Sequence, residues 1–144
     1  MQQIDVCMSP DLLHLYDIRE RIVVVTDILR ATSCMTTGIA HGVEHIVPVS
    51  TLEECQALKA QGYITAAERN GAKVEGFDIG NSPFSYMEAA RAGQKVAVTT
   101  SNGTIAINKS REAVQVLIGS FLNLSAVVDY VAQADRDILV LCAG

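Results

Sequence analysis

Ile22-Val23-Val24-Val25 is an unbroken β-branched run, and it empties into Asp27-Ile28-Leu29-Arg30-Ala31-Thr32-Ser33. A continuous apolar run of this kind reads as a strand buried on both faces, which is the signature of a parallel sheet covered by helices. The same succession recurs twice. Lys95-Val96-Ala97-Val98 leads into Thr99-Thr100-Ser101-Asn102-Gly103-Thr104, and Tyr63-Ile64-Thr65-Ala66-Ala67 leads into Glu68-Arg69-Asn70-Gly71. In open α/β sheets ligands gather beyond the carboxyl ends of the strands. Three strand ends that supply carboxylates, guanidinium groups, hydroxyls and tight turns point to one anion- or metal-binding crevice.

The remaining segments alternate in the same way. Ile4–Met8 reads as a short strand broken by Ser9-Pro10, and Ile22–Leu29 as the strongest strand. A helix is expected over Thr32–Ala40, ended by Gly42, then a strand over His45–Val49. Thr51-Leu52-Glu53-Glu54 is a capping box that opens a helix running to Gln61 and stopping at Gly62. Ile64–Ala67 is a strand, and residues 69–81 form a long glycine-hinged loop of a kind that is often functional. Ser82-Pro83 starts a helix with Ser82 as its N-cap. A strand over Lys95–Thr100, a helix opening at Asn102 or Gly103, a strand over Ala113–Ile118, a helix over Leu124–Ala134 and a strand over Ile138–Cys142 complete the chain. This alternation predicts a single α/β domain with one mostly parallel sheet, helices on both faces, in three layers.

Composition narrows the function classes. At 144 residues and 49% hydrophobic content the chain suits one globular domain, and with no Trp its core must be aliphatic. A net charge of −5 argues against a general nucleic-acid binder, although an acidic protein can still hold a locally cationic pocket. The amino terminus lacks the charged and apolar regions of a signal peptide, and no apolar stretch reaches the ~18 residues of a membrane span. A cytoplasmic protein without membrane association is expected. Cys7, Cys34, Cys55 and Cys142 are scattered without a Cys-x-x-Cys pair and read as free, mostly buried thiols. The chain stops at Leu141-Cys142-Ala143-Gly144, where a strand-to-helix turn would be expected next, so it reads as part of something longer. A sheet that stops abruptly exposes an edge that can pair, which makes a homodimer the assembly to consider.

Each candidate residue carries two readings. Asp27 suits Mg²⁺, a hard cation that prefers oxygen ligands, or a nucleophile toward phosphorus; it equally suits a helix-start carboxylate. Arg30 can grip phosphate bidentately or form a surface ion pair. Thr32 and Ser33 open a helix whose amides favour an anion, or simply cap it. Thr100, Asn102 and the turn at Gly103 can donate to phosphate oxygens, or form an ordinary Asn-Gly turn. Glu68 and Asp78 are candidate metal ligands or bases and Asn81 a candidate substrate contact, each alternatively a solvated loop residue. Ser120 and Asn123 follow a fourth strand and suit a ligand contact or a helix cap. His14, His41 and His45 make no convincing metal set. No dinucleotide fingerprint, P-loop or nucleophile elbow is present, and Leu29 stands where a second aspartate of an aspartyl-phosphatase loop would be.

Taken together, Asp27-Ile-Leu-Arg-Ala-Thr-Ser33, Glu68-Arg-Asn-Gly71, Glu75-Gly-Phe-Asp-Ile-Gly-Asn-Ser-Pro83, Thr99-Thr-Ser-Asn-Gly-Thr104, Gly119-Ser-Phe-Leu-Asn123 and Cys142-Ala-Gly144 resemble the 2-phosphosulfolactate phosphatase family of coenzyme M biosynthesis. The resemblance implies an α/β fold peculiar to the family and a Mg²⁺-dependent acid phosphatase. Its substrate would be a small phosphorylated acid, hydrolysed to 3-sulfolactate and phosphate. The family's motif positions matched here are Asp27, Arg30, Glu68, Arg69, Asp78, Asn81, Thr100 and Asn102; with the residue chemistry above, Asp27, Arg30, Glu68, Arg69 and Asp78 are expected to be catalytic, with Asp27, Glu68 and Asp78 as metal ligands. Thr32, Asn81, Thr100, Asn102, Ser120 and Asn123 would contact the substrate. The chain departs from the family pattern by stopping early and by carrying Asn70 where glycine is expected. A non-catalytic binding module for a small dianion is the alternative.

Overall fold

The computed structural model describes residues 2–143. Among the described residues eight strands form two four-stranded sheets. The first contains β1 (Ile4–Cys7), β8 (Ile138–Cys142), β2 (Ile22–Thr26) and β7 (Gln115–Gly119), in that order and all parallel. The second contains β3 (His45–Pro48), β6 (Lys95–Thr99) and β4 (Ile64–Arg69) in parallel, with β5 (Ala72–Lys73) antiparallel on the far side of β4. The sequence alternation predicts one sheet; the chain builds two, because which strands pair is decided by contacts far apart in sequence.

Period-two burial explains how the sheets share a core. Val23, Val25, Leu139 and Leu141 of the first sheet and Ala66, Val96 and Val98 of the second belong to one apolar cluster. Three helices fill it: α1 (Ala31–Ala40) with Ala31, Cys34 and Met35, α3 (Pro83–Tyr86) with Tyr86, and α4 (Gly103–Lys109) with Ala106 and Ile107. Each fully buried aliphatic side chain here contributes about 1.5–3 kcal/mol. Ile22, Val24 and Ile138 face the other way and pack under α5 (Leu124–Gln133), against Val127 and Val131. Ala67 and Ala97 pack with Cys55 of α2 (Leu52–Leu58) on the outer side of the second sheet. Helices therefore cover both faces, as the three-layer α/β reading requires. All four cysteines are free, and Cys7, Cys34 and Cys55 are buried. Among the described residues no helix is long and apolar enough to cross a membrane.

Local signals act as their chemistry dictates, with three exceptions. The Thr51 hydroxyl accepts from the Glu54 N–H at 3.1 Å while Glu54 accepts from the Thr51 N–H at 3.2 Å, so the capping box is complete. Ser82, in contrast, makes no side-chain cap bond, and Pro83 alone starts α3. β2 ends at Thr26 rather than Leu29, because Asp27 already accepts the first bonds of the turn into α1. Residues 69–81 are not one open loop. Asn70 and Gly71 both take positive φ, 54° and 79°, and join β4 to β5 as a two-residue hairpin. Asn-Gly is the preferred pair for such a turn, whose central residues both need φ > 0.

The returning chain then lies along β4. A parallel bridge pairs Ile79 with Ala66, and the Asp78 carboxylate accepts from the Thr65 N–H at 2.9 Å and the Thr65 hydroxyl at 2.8 Å. Lys59 Nζ lies 2.7 Å from its other oxygen. Partial burial opposes ionisation of Asp78, but the hydrogen bonds from Lys59 and Thr65 outweigh it and hold the carboxyl at about 2, below the usual 3.8.

Two expectations follow. Asn70→Gly keeps the hairpin, whereas Asn70→Ala, which resists the left-handed conformation, lowers stability by about 1 kcal/mol in urea unfolding. Because the folded carboxyl ionises below its unfolded value, Asp78 contributes stability above pH 4 that is lost as pH falls toward 2. The urea midpoint of Asp78→Asn should accordingly fall less between pH 6 and pH 2.5 than that of the parent chain.

Candidate functional site

β2 delivers Asp27 one residue past its last ladder position. The Asp27 N–H donates to the Thr32 hydroxyl at 3.0 Å, and its carbonyl accepts from the Thr32 N–H at 2.9 Å. Its Oδ1 accepts from the Ala31 N–H at 3.3 Å, which seats the carboxylate on the first turn of α1, where the helix dipole favours negative charge. Asp27 is 7% exposed. Its Oδ2 faces α4: a Cβ added at Gly103 would lie 2.7 Å from Oδ2 and 2.6 Å from the Ala31 methyl. Only glycine permits that approach.

Glu68 comes from the other sheet, near the end of β4, and is equally buried. Its Oε1 accepts from the Gly71 N–H at 2.5 Å and the Ser101 hydroxyl at 3.4 Å, and Oε2 lies 3.4 Å from the Ser101 N–H. Asp27 and Glu68 thus flank one turn, two residues apart along it. Arg30 closes the group by donating from Nη2 to the Gly71 carbonyl at 3.0 Å. Gly71 is held at both backbone groups, by Glu68 on its N–H and by Arg30 on its carbonyl. Arg69 leaves β4 on the opposite face from Glu68, the face of Ala67. Its guanidinium donates to the Glu68 carbonyl at 2.6 Å and to the Thr99 hydroxyl at 3.0 Å.

The structure therefore gathers Asp27, Arg30 and Glu68, with Arg69 at the same strand end, and sets the other candidates apart from them. Asp78 does not join the acids. It is bound to Thr65 and Lys59, three residues before Glu68 along β4 and on the other face. Among the described residues no three acidic, histidine or cysteine side chains gather as a metal cluster. Thr32 is fully buried, and its hydroxyl accepts from the Asp27 N–H and so builds the turn. Thr100 is 2% exposed and exchanges bonds with Thr104 in both directions. Ser120 and Asn123 form a capping box: Asn123 Oδ1 accepts from the Ser120 N–H at 2.8 Å and its amide donates to the Ile118 carbonyl at 2.8 Å. Asn102 is exposed and makes no side-chain cap bond. Asn81 is buried, and its Oδ1 has no partner.

Two contributors escape the sequence reading. Ser101 stands between the candidates Thr100 and Asn102, and no residue pattern distinguishes it from them. Gly71 reads only as a turn glycine, although the hairpin signal of Asn70-Gly71 would have placed it beside Glu68. A cavity of about 620 Å³ lies at the far end of α4, where Asp11 and Lys109 pair at 2.8 Å, and includes none of these residues.

The chain as a whole is similar to known proteins. The family model described as 2-phosphosulpholactate phosphatase matches residues 7–144. A probable 2-phosphosulfolactate phosphatase of Thermotoga maritima is 41% identical over 141 residues, covering 98% of this chain and 60% of the relative. One from Caldanaerobacter subterraneus subsp. tengcongensis is 41% identical over 132 residues, covering 89% of this chain and 55% of the relative. One from Clostridium acetobutylicum is 40% identical over 145 residues, covering 99% and 62%. The chain spans about 60% of the length of the curated relatives it matches. By this match over nearly its whole length, the chain belongs to the 2-phosphosulpholactate phosphatase family.

Proposed function

We propose that this chain carries the phosphate-handling half of a phosphoric monoester hydrolase acting on a small phosphorylated acid, 2-phosphosulfolactate by the names of its relatives. The observation that carries the reading is the pair of buried carboxylates from different sheets, Asp27 and Glu68, set against one turn at Ser101 and Gly103. Two such acids have no apolar reason to be brought together, since burying like charges is unfavourable unless a cation or donor set compensates.

The donor set fits Mg²⁺ held by two carboxylates. This cation is bound through one or two carboxylates and keeps its remaining ligands from water and substrate phosphate. Asp27 and Glu68 would hold it; Asp78 would not. When bound, it supplies positive charge that polarises a phosphate oxygen. Arg30 and Arg69 bring planar donors that match phosphate geometry. Arg30 rests on a neutral carbonyl, so a dianion can compete for its guanidinium. Hydrolysis breaks the phosphorus–oxygen ester bond, adds the elements of water and releases 3-sulfolactate and phosphate. Such transfer depends on positioning and on charge stabilisation more than on covalent chemistry.

Release of p-nitrophenol from p-nitrophenyl phosphate, and of phosphate from 2-phosphosulfolactate, is expected with Mg²⁺ and lost in EDTA. Phosphate binding without any turnover would replace the hydrolase with a dianion-binding module. Asp27→Asn should lower turnover at least ~100-fold, as loss of one preorganised electrostatic group does. Near-parental activity in that variant ends the assignment of Asp27.

A further inference from the structure

Beyond the acids and arginines, one buried hydroxyl of the second sheet has its hydrogen-bonding geometry directed at the site. Thr99 is the last residue of β6 and is wholly buried. The register pairs it with Ala67, so Arg69, two residues further along β4 on the same face, reaches it diagonally. Arg69 Nη2 donates to Thr99 Oγ1 at 3.0 Å, and Thr99 donates its own proton toward the Ser50 carbonyl at 3.5 Å. Ser50 is tied in turn to α4, its hydroxyl accepting from the Asn108 amide at 2.7 Å. With Nη1 on the Glu68 carbonyl, the guanidinium is pinned at two points, and Nε–H and the second hydrogen on each Nη are left for a ligand.

We infer that Thr99 is a positioning residue. Its hydroxyl orients the Arg69 guanidinium so that the remaining donors face a phosphate at the strand ends. The inference rests on the proposed phosphate role of Arg69. A hydroxyl with a single proton can play this part only in one arrangement, accepting from the arginine and donating to a backbone carbonyl, and the Ser50 carbonyl supplies that acceptor. Valine at 99 keeps the β-branched shape but removes both bonds.

Inorganic phosphate binding, followed by titration calorimetry in Mg²⁺, reads the effect, and the ¹⁵N-resolved Arg69 side-chain signals read the cause. Thr99→Val should weaken phosphate about tenfold and speed exchange of the Arg69 Nη protons, while Thr99→Ser restores both. In an Arg69→Ala background, Thr99→Val should weaken binding no further. Full additivity of the two substitutions, or Arg69 signals unchanged in Thr99→Val, overturns the inference. Unchanged phosphate affinity in Arg69→Ala would remove Arg69 from the proposed function, and the Arg69 signals would still decide whether Thr99 orients it.

Discussion

The approach of Gly103 to the Asp27 carboxylate is the contact through which the two sheets meet at their polar ends. Parallel strands leave their carboxyl ends pointing the same way, so each sheet offers its own crest of turns. Where α4 begins the crests come close enough to touch because no side chain stands at 103, and Arg30 on the Gly71 carbonyl adds a second bridge. The turn is made rigid before it reaches either acid. The Thr100 N–H donates to the Thr104 hydroxyl at 3.0 Å, and the Thr104 N–H donates to the Thr100 hydroxyl at 3.2 Å. A fixed turn then presents Ser101 to Glu68 and Gly103 to Asp27 at once. A flexible one would let two buried carboxylates separate into water, which their charge favours.

The central strands β2, β4, β6 and β8 are readable because they are buried on both faces, which leaves short, β-branched apolar runs bounded by turn residues. The location of the site at their carboxyl ends followed from the same fact. The division into two sheets was not readable, since β7 joins β2 rather than β3 through contacts with no local trace. β5 is only Ala72-Lys73, too short for any periodicity, and its one clear signal is the Asn70-Gly71 turn within a stretch that otherwise reads as a long loop. A long open loop would leave Asp78 free to reach Glu68. Once the hairpin is recognised, the chain after it must run back along β4, and the bridge of Ile79 to Ala66 sets Asp78 beside Thr65 rather than Glu68. The departure from the family pattern at Asn70 has a plain cause as well. The position needs positive φ, and asparagine is among the few residues besides glycine that take it readily.

Hydroxyl and amide candidates were harder to sort, because capping a helix and binding an anion ask for the same residue types. What separates them is whether the fold has already used their bonding capacity. Thr32, Thr100, Ser120 and Asn123 are each engaged by backbone groups of their own turns. Those engagements account for the residues without any ligand. Removing one would leave an orphaned amide, a loss of about 1–3 kcal/mol that has nothing to do with catalysis.

Asn81 is the opposite case. Asn81 follows the stretch whose Ile79 bridges Ala66, and Lys73 of β5 takes the place beside Glu68 on that edge of β4. It is 8% exposed, and its Oδ1 accepts no hydrogen bond. A carbonyl oxygen shut away from water without a donor is destabilising, so the fold by itself supplies no reason for an amide there. Arg30, on a single neutral carbonyl, and the exposed Asn102 share this open capacity. Arg30, through Gly71, and Asn102, between Ser101 and Gly103, thus stand beside the two carboxylates, while Thr32 and Thr100, whose bonds folding completes, lie in the turns that hold them.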